Sequence, residues 1–113
     1  MRLLLDTHTF LWFLLDDEQL SETARNLIID PKNDIEISPA TYWEIAIKIS
    51  LNKYSLPEPF EQFMNREIVA NQFRILNIEP RHATPLTMLP FHHRDPFDRL
   101  LIAQAMVEQI HQQ

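Results

Sequence analysis

The 113-residue sequence contains no glycine and no cysteine. The missing glycine excludes P-loop and dinucleotide-binding fingerprints, which need it for close backbone approach to phosphate. The missing cysteine excludes a disulfide framework, a thiolate metal site and a thiol nucleophile, and is compatible with a cytosol. Long apolar runs are also absent, none approaching the ~18 residues of a membrane span. Asp6 breaks the opening run Leu3-Leu4-Leu5, and Asp16, Asp17 and Glu18 follow with no small-residue cleavage site, so the start does not read as a secretory signal. The expectation is a soluble, cytoplasmic protein with no membrane partner. Positive charge is scarce, with 10 Lys+Arg against 16 Asp+Glu and a formal charge of −6. Such a chain has little general attraction for phosphate backbones. Any nucleic-acid contact must be local or metal-assisted, and a basic protein partner would also suit it.

What is present belongs to a globular protein. Hydrophobic residues make up 45% and charged residues 23%. The length fits a single domain, 1–113, able to bury one ordinary core. Residues 2–5 form an apolar run that ends at Asp6, as a buried parallel strand does. Thr7 to Leu15 reads as a helix. Ser21 caps a second helix that runs through about Ile29, and Pro31 to Asp34 form a turn. Ile35-Glu36-Ile37 alternates like a strand and meets Ser38-Pro39, an N-cap and first-turn pair.

The helix at 39–51 is apolar on nearly every side, which predicts a position sandwiched inside the domain. Asn52 takes the place where a helix end favours a left-handed residue. A linker at 56–59, a helix over 60–71, a strand from Phe73 to Ile78 and a short helix at 80–89 follow. Phe91-His92-His93-Arg94 is irregular, and Asp95-Pro96 opens the last helix. Strands alternating with helices imply a parallel sheet covered on both faces, with functional groups beyond the strands' carboxyl ends.

The chemistry-bearing residues are acids. Hydrolysis of a phosphodiester needs a divalent cation to neutralise charge and activate water, and Mg²⁺ or Mn²⁺ prefers carboxylate oxygens. Asp6, Glu44, Asp95 and Asp98 are the candidates, and each has a structural alternative. Asp6 suits an N-cap. Glu44 suits an i,i+4 pair with Lys48, a surface feature of only ~0.3–0.5 kcal/mol, although its apolar neighbours predict burial and hence a real partner. Asp95, Pro96 and Asp98 form a variant capping box, which explains Asp95 better than ligation does. Adjacent His92 and His93 point apart, no His-x₃-His pair lies on a helix, and no Gly-x-Ser-x-Gly elbow exists.

Three segments carry a resemblance. Leu3-Leu4-Leu5-Asp6-Thr7-His8-Thr9-Phe10-Leu11-Trp12, Ser38-Pro39-Ala40-Thr41-Tyr42-Trp43-Glu44-Ile45-Ala46-Ile47-Lys48 and Asp95-Pro96-Phe97-Asp98-Arg99-Leu100-Leu101-Ile102-Ala103-Gln104-Ala105 resemble, in order and spacing, the acidic motifs of PIN-domain proteins. The match is close to the VapC-like toxins of toxin–antitoxin pairs. The resemblance implies a three-layer α/β/α sandwich with a short central parallel sheet and a Mg²⁺- or Mn²⁺-dependent endoribonuclease acting on RNA.

Carried over residue by residue, Asp6, Glu44 and Asp98 match the catalytic, metal-binding acids. Asp95 is an additional acid, and Thr7 matches a hydroxyl position that holds a metal-bound water. A homodimer and a small antitoxin covering the site are also implied. One departure stands out. The family continues into another strand and a Thr-x-Asp-like segment with a fourth acid, whereas this sequence stops at His111-Gln112-Gln113. The expectation is a truncated chain or a sheet without its C-terminal strand. A rival reading is a catalytically impaired PIN relative acting as an interaction module. A weaker one is another phosphotransfer fold, for which Asp6-Thr7-His8 lacks the second aspartate.

Overall fold

The computed structural model describes residues 1–88 and 95–113. Strand β1 (Arg2–Leu4) leads into helix α1 (Thr7–Leu14) and helix α2 (Glu22–Ile29). Strand β2 (Asp34–Ile37) is followed by α3 (Pro39–Ser50) and α4 (Phe60–Ala70). The two-residue strand β3 (Arg74–Ile75) precedes the short helix α5 (Pro80–Ala83) and a 3₁₀ turn (Thr84–Thr87). The last elements are α6 (Pro96–Glu108) and β4 (His111–Gln112). All strand pairs are parallel, in the order β3-β2-β1-β4.

Period-two alternation sorts the core into two layers. Leu3, Leu5, Ile35 and Ile37 pack on one side with Phe10, Ile45, Phe63 and Phe73. Leu4, between Leu3 and Leu5, packs on the other side with Leu76, Leu101 and Ala105. The sheet is therefore covered on both faces, giving the three-layer α/β/α arrangement that the sequence implies.

Chain order fixes where a site can form. From β1 the chain steps to β2 and then β3 on one side, and β4 returns to the other side of β1. The strand order thus reverses between β1 and β4. In parallel sheets, the crevice beyond the carboxyl ends at such a reversal is where ligands bind. Asp6 leaves β1 at that point. Gln113 leaves β4 beside it, with its carbonyl oxygen 3.3 Å from the Asp6 amide nitrogen.

Four expectations are corrected. A C-terminal strand is present: β4 pairs Leu3 with His111 and Leu4 with Gln112. Its residues carry no β-forming signal, so local pattern does not announce the pairing. The helix at 39–51 is not sandwiched throughout, because Trp43 is 68% exposed and Ile47 and Leu51 are exposed too. The strand from Phe73 to Ile78 shrinks to two residues. The helix at 80–89 divides into α5 and the 3₁₀ turn through Thr87. The expectations for Phe91 to Arg94, and for His92 and His93, lie outside the described residues.

Candidate active site

Asp6 ends β1 in extended backbone and caps α1, its Oδ1 accepting from the Thr9 amide at 2.8 Å. The capping alternative is thus realised, but it engages one oxygen. Among the described residues no hydrogen bond reaches Oδ2 of this half-buried carboxylate. Cap and site are compatible in one side chain.

Glu44 lies on α3 and is 1% exposed. Its Oε1 accepts from the Thr7 hydroxyl at 2.6 Å, and its Oε2 accepts from Lys48 Nζ at 2.9 Å. Thr7 Oγ1 also lies 3.4 Å from the hydroxyl of buried Thr41. The i,i+4 pair with Lys48 is therefore present, but inside the protein, where a stranded carboxylate would cost several kcal/mol, about ten times a surface pair. Hydrogen bonding to Glu44 holds the Lys48 ammonium above its ordinary range, against the opposing effect of burial.

Asp95 caps α6, accepting from the Phe97 amide at 2.9 Å. Asp98 sits in the first turn of that helix. Its carboxyl is pushed above the usual aspartate range, first by burial, then by the charges of Asp95, Glu44 and Asp6; His8 opposes the shift. The charges of Asp95, Glu44 and Asp6 thus bear on Asp98, although these acids come from the β1–α1 junction, α3 and the start of α6. No three of them close their ligand atoms to within 4.8 Å. That spacing suits a cation that keeps part of its water shell better than a closed cage of carboxylates.

Sequence reasoning missed several residues of this region. Thr41 flanks Glu44 at i−3, as the already expected Lys48 does at i+4, a helical spacing from which Thr41 could have been read. His8 follows Asp6 and Thr7 directly. It is exposed, with its ring 5.7 Å from that of Trp12 and Nε2 3.5 Å from the Tyr54 hydroxyl. Thr9 donates its hydroxyl to the Gln113 carbonyl at 2.7 Å, tying α1 to the end of β4, a contact that no spacing reveals.

A second cluster lies at the other end of α6. Glu79, His82 and Glu108 bring ligand-type atoms within 4.8 Å of one another, the arrangement among the described residues that could hold a metal ion. Its wiring favours a structural role. The fully buried His82 accepts the Glu79 amide at Nδ1, so Nε2 carries the proton and faces Glu108 at 2.8 Å. Arg2 and Arg81 also donate to Glu108, and Arg2 grips Glu36 through two bonds. The bond from His82 and those from the two guanidiniums hold the Glu108 carboxyl down at about 2, outweighing burial. With two guanidinium groups already on Glu108, a cation meets repulsion there. A cavity of about 530 Å³ lined by Asp34, Phe73 and Arg74 contains none of the four acids.

The α/β/α sandwich thus carries Asp6 at the reversal in strand order, with Glu44 joined to its neighbour Thr7. The sequence profile of the PIN domain matches residues 3–111, and the chain belongs to the PIN domain family. PIN domains are in general nucleases. The fold is similar to that of a chain in the crystal structure of VapBC2 from Rickettsia felis bound to a DNA fragment from its promoter. The TM-score is 0.61 at 14% identity, over 99% of this chain and 85% of that one. No protein among the curated sequences matches this one.

Proposed function

We propose that this chain is a metal-dependent endoribonuclease, the VapC-like toxin of a toxin–antitoxin pair, acting in the cytoplasm. The observation that carries the reading is the PIN domain match over residues 3–111, with Asp6 at the strand reversal and the buried Glu44 joined to its neighbour Thr7. The donor set fits Mg²⁺ or Mn²⁺: hard carboxylate oxygens, an excess of negative charge and no sulfur ligand. Asp6 and Asp98 would hold the ion, with Glu44 contacting it directly or through water and Asp95 as a secondary acid. Bound there, the cation supplies Lewis-acid polarisation of the phosphate and a more acidic water.

The chain's own residues do the positioning. Thr7 and Lys48 fix both oxygens of Glu44, so that carboxylate meets the substrate region in one orientation. The Asp6 bond to the Thr9 amide fixes one carboxylate oxygen and leaves the other for a ligand. His8, exposed and directly after Asp6 and Thr7, is proposed to face the substrate. RNA is the proposed substrate, and a small antitoxin and a second copy of the chain are the proposed protein partners. The similarity to the VapBC2 chain supports the first of these partners. The exposed stripe Trp43, Ile47 and Leu51 on α3 supports a protein contact. Among the described residues no helix is long and apolar enough to cross a membrane.

The test is cleavage of single-stranded RNA by purified protein with Mn²⁺ or Mg²⁺. Activity is expected to fall at least about a hundredfold in Asp6→Asn, the scale of losing a group that stabilises transition-state charge. Equal cleavage by that variant, or cleavage in EDTA, would reject the reading.

A further inference from the structure

Helix α1 and the segment after α3 enclose a groove of about 240 Å³, with His8, Trp12, Asp17, Lys53, Tyr54 and Leu56 among its walls. The groove contains none of the four acids but borders their elements. His8, two residues after Asp6, lines it. Lys48, bound to Glu44, stands 5.4 Å from the Tyr54 ring centroid. Its walls are mostly apolar and combine the rings of Trp12, Tyr54 and His8 with one lysine and one aspartate. Lys53 is exposed and forms no ion pair with any described residue, while Asp17 is the opposing charge in the lining. Sites for single-stranded RNA have this composition: a ring on which a base stacks, and a cation for the adjoining phosphate.

We infer that the groove seats one nucleotide of single-stranded RNA beside the scissile phosphate, its base stacked on Trp12 and its phosphate against Lys53. The inference rests on the nuclease reading for its substrate class, and the test separates the two. Trp43→Phe leaves Trp12 as the sole tryptophan, and Trp43 is exposed and outside the groove. Titrating this variant in EDTA with a mixed-sequence RNA octamer reads stacking without cleavage. Saturable quenching of Trp12 is expected, with binding weakened about tenfold by adding Lys53→Glu or Tyr54→Leu and the melting curve retained. No quenching of the folded protein at low ionic strength, or binding indifferent to both substitutions, overturns the inference and leaves the groove to a protein segment. Quenching that persists while Asp6→Asn changes no cleavage upholds the groove and rejects the nuclease reading. Cleavage with unchanged KM in both groove variants overturns the groove and leaves the nuclease reading standing.

Discussion

The carboxyl of Asp98 meets opposition from two sides, its own burial and the charges of Asp95, Glu44 and Asp6. Its ionised form is less favourable in the fold than in the unfolded chain, so it weakens the metal-free protein at neutral pH. As pH falls through its raised range, that penalty is relieved. Asp98→Asn should therefore raise the melting temperature in EDTA by roughly 2–4 °C, while removing metal-dependent cleavage. A lower melting temperature in EDTA would mean that Asp98 serves the fold more than the site. Glu108 has the opposite sign. Its pKa is lowered from 4.5 to about 2, so its stabilisation is present above pH 4.5 and lost as pH falls towards 2. Glu108→Gln should cost about 2–3 kcal/mol at neutral pH and flatten that acid limb in urea titrations. An unchanged acid limb would separate Glu108 from acid unfolding.

At the scale of elements, the absence of glycine leaves a visible mark. Helices α1, α3, α4 and α6 are each followed by a residue with positive φ: Asp16, Asn52, Gln72 and Gln109. Each end makes a six-to-one backbone bond, such as Phe73 N to Ile68 O at 3.0 Å, the Schellman closure. A left-handed non-glycine residue costs roughly 1 kcal/mol. Exposed Gln72→Gly should therefore raise the melting temperature by about 4 °C, and a fall in calorimetric melting would refute this account of the helix end. Asn52 was legible because asparagine tolerates that conformation; Gln72 and Gln109 were not, since glutamine announces nothing.

The same contrast runs through the other elements. Leu3 to Leu5 and Ile35 to Ile37 declared their strands by pattern, whereas His111-Gln112 owes its place to pairing across the sheet. The α3 sequence could not show that Trp43, Ile47 and Leu51 face outward, because apolar character alone does not say which side is covered. In the site, Asp6 and Glu44 were marked by their settings, and Asp98 emerged from capping only with the family resemblance. Thr41 was open to reading from its i−3 spacing to Glu44, whereas its contact with Thr7 and that of His8 with Tyr54 join separate elements and were not.

At the scale of the molecule, α6 divides its duties between its ends. Its first turn carries Asp98 beside the strand reversal, and its last carries Glu108 in a network with Arg2, Arg81 and His82. The wiring of the second cluster anchors the helix whose first turn brings Asp98 to the other acids. The net charge of −6 gives the chain no broad attraction for RNA. In the proposed function, a cation at the acids and local positive groups such as Lys53 would carry the electrostatic part of recognition. The central claim is that a divalent cation binds at Asp6 and Asp98 and not at the Glu79–His82–Glu108 cluster. Calorimetric titration with Mn²⁺ tests it directly. Binding should be present in the unmodified protein, lost in Asp6→Asn and Asp98→Asn, and retained in Glu108→Gln. Binding that survives both aspartate substitutions and disappears in Glu108→Gln would contradict it.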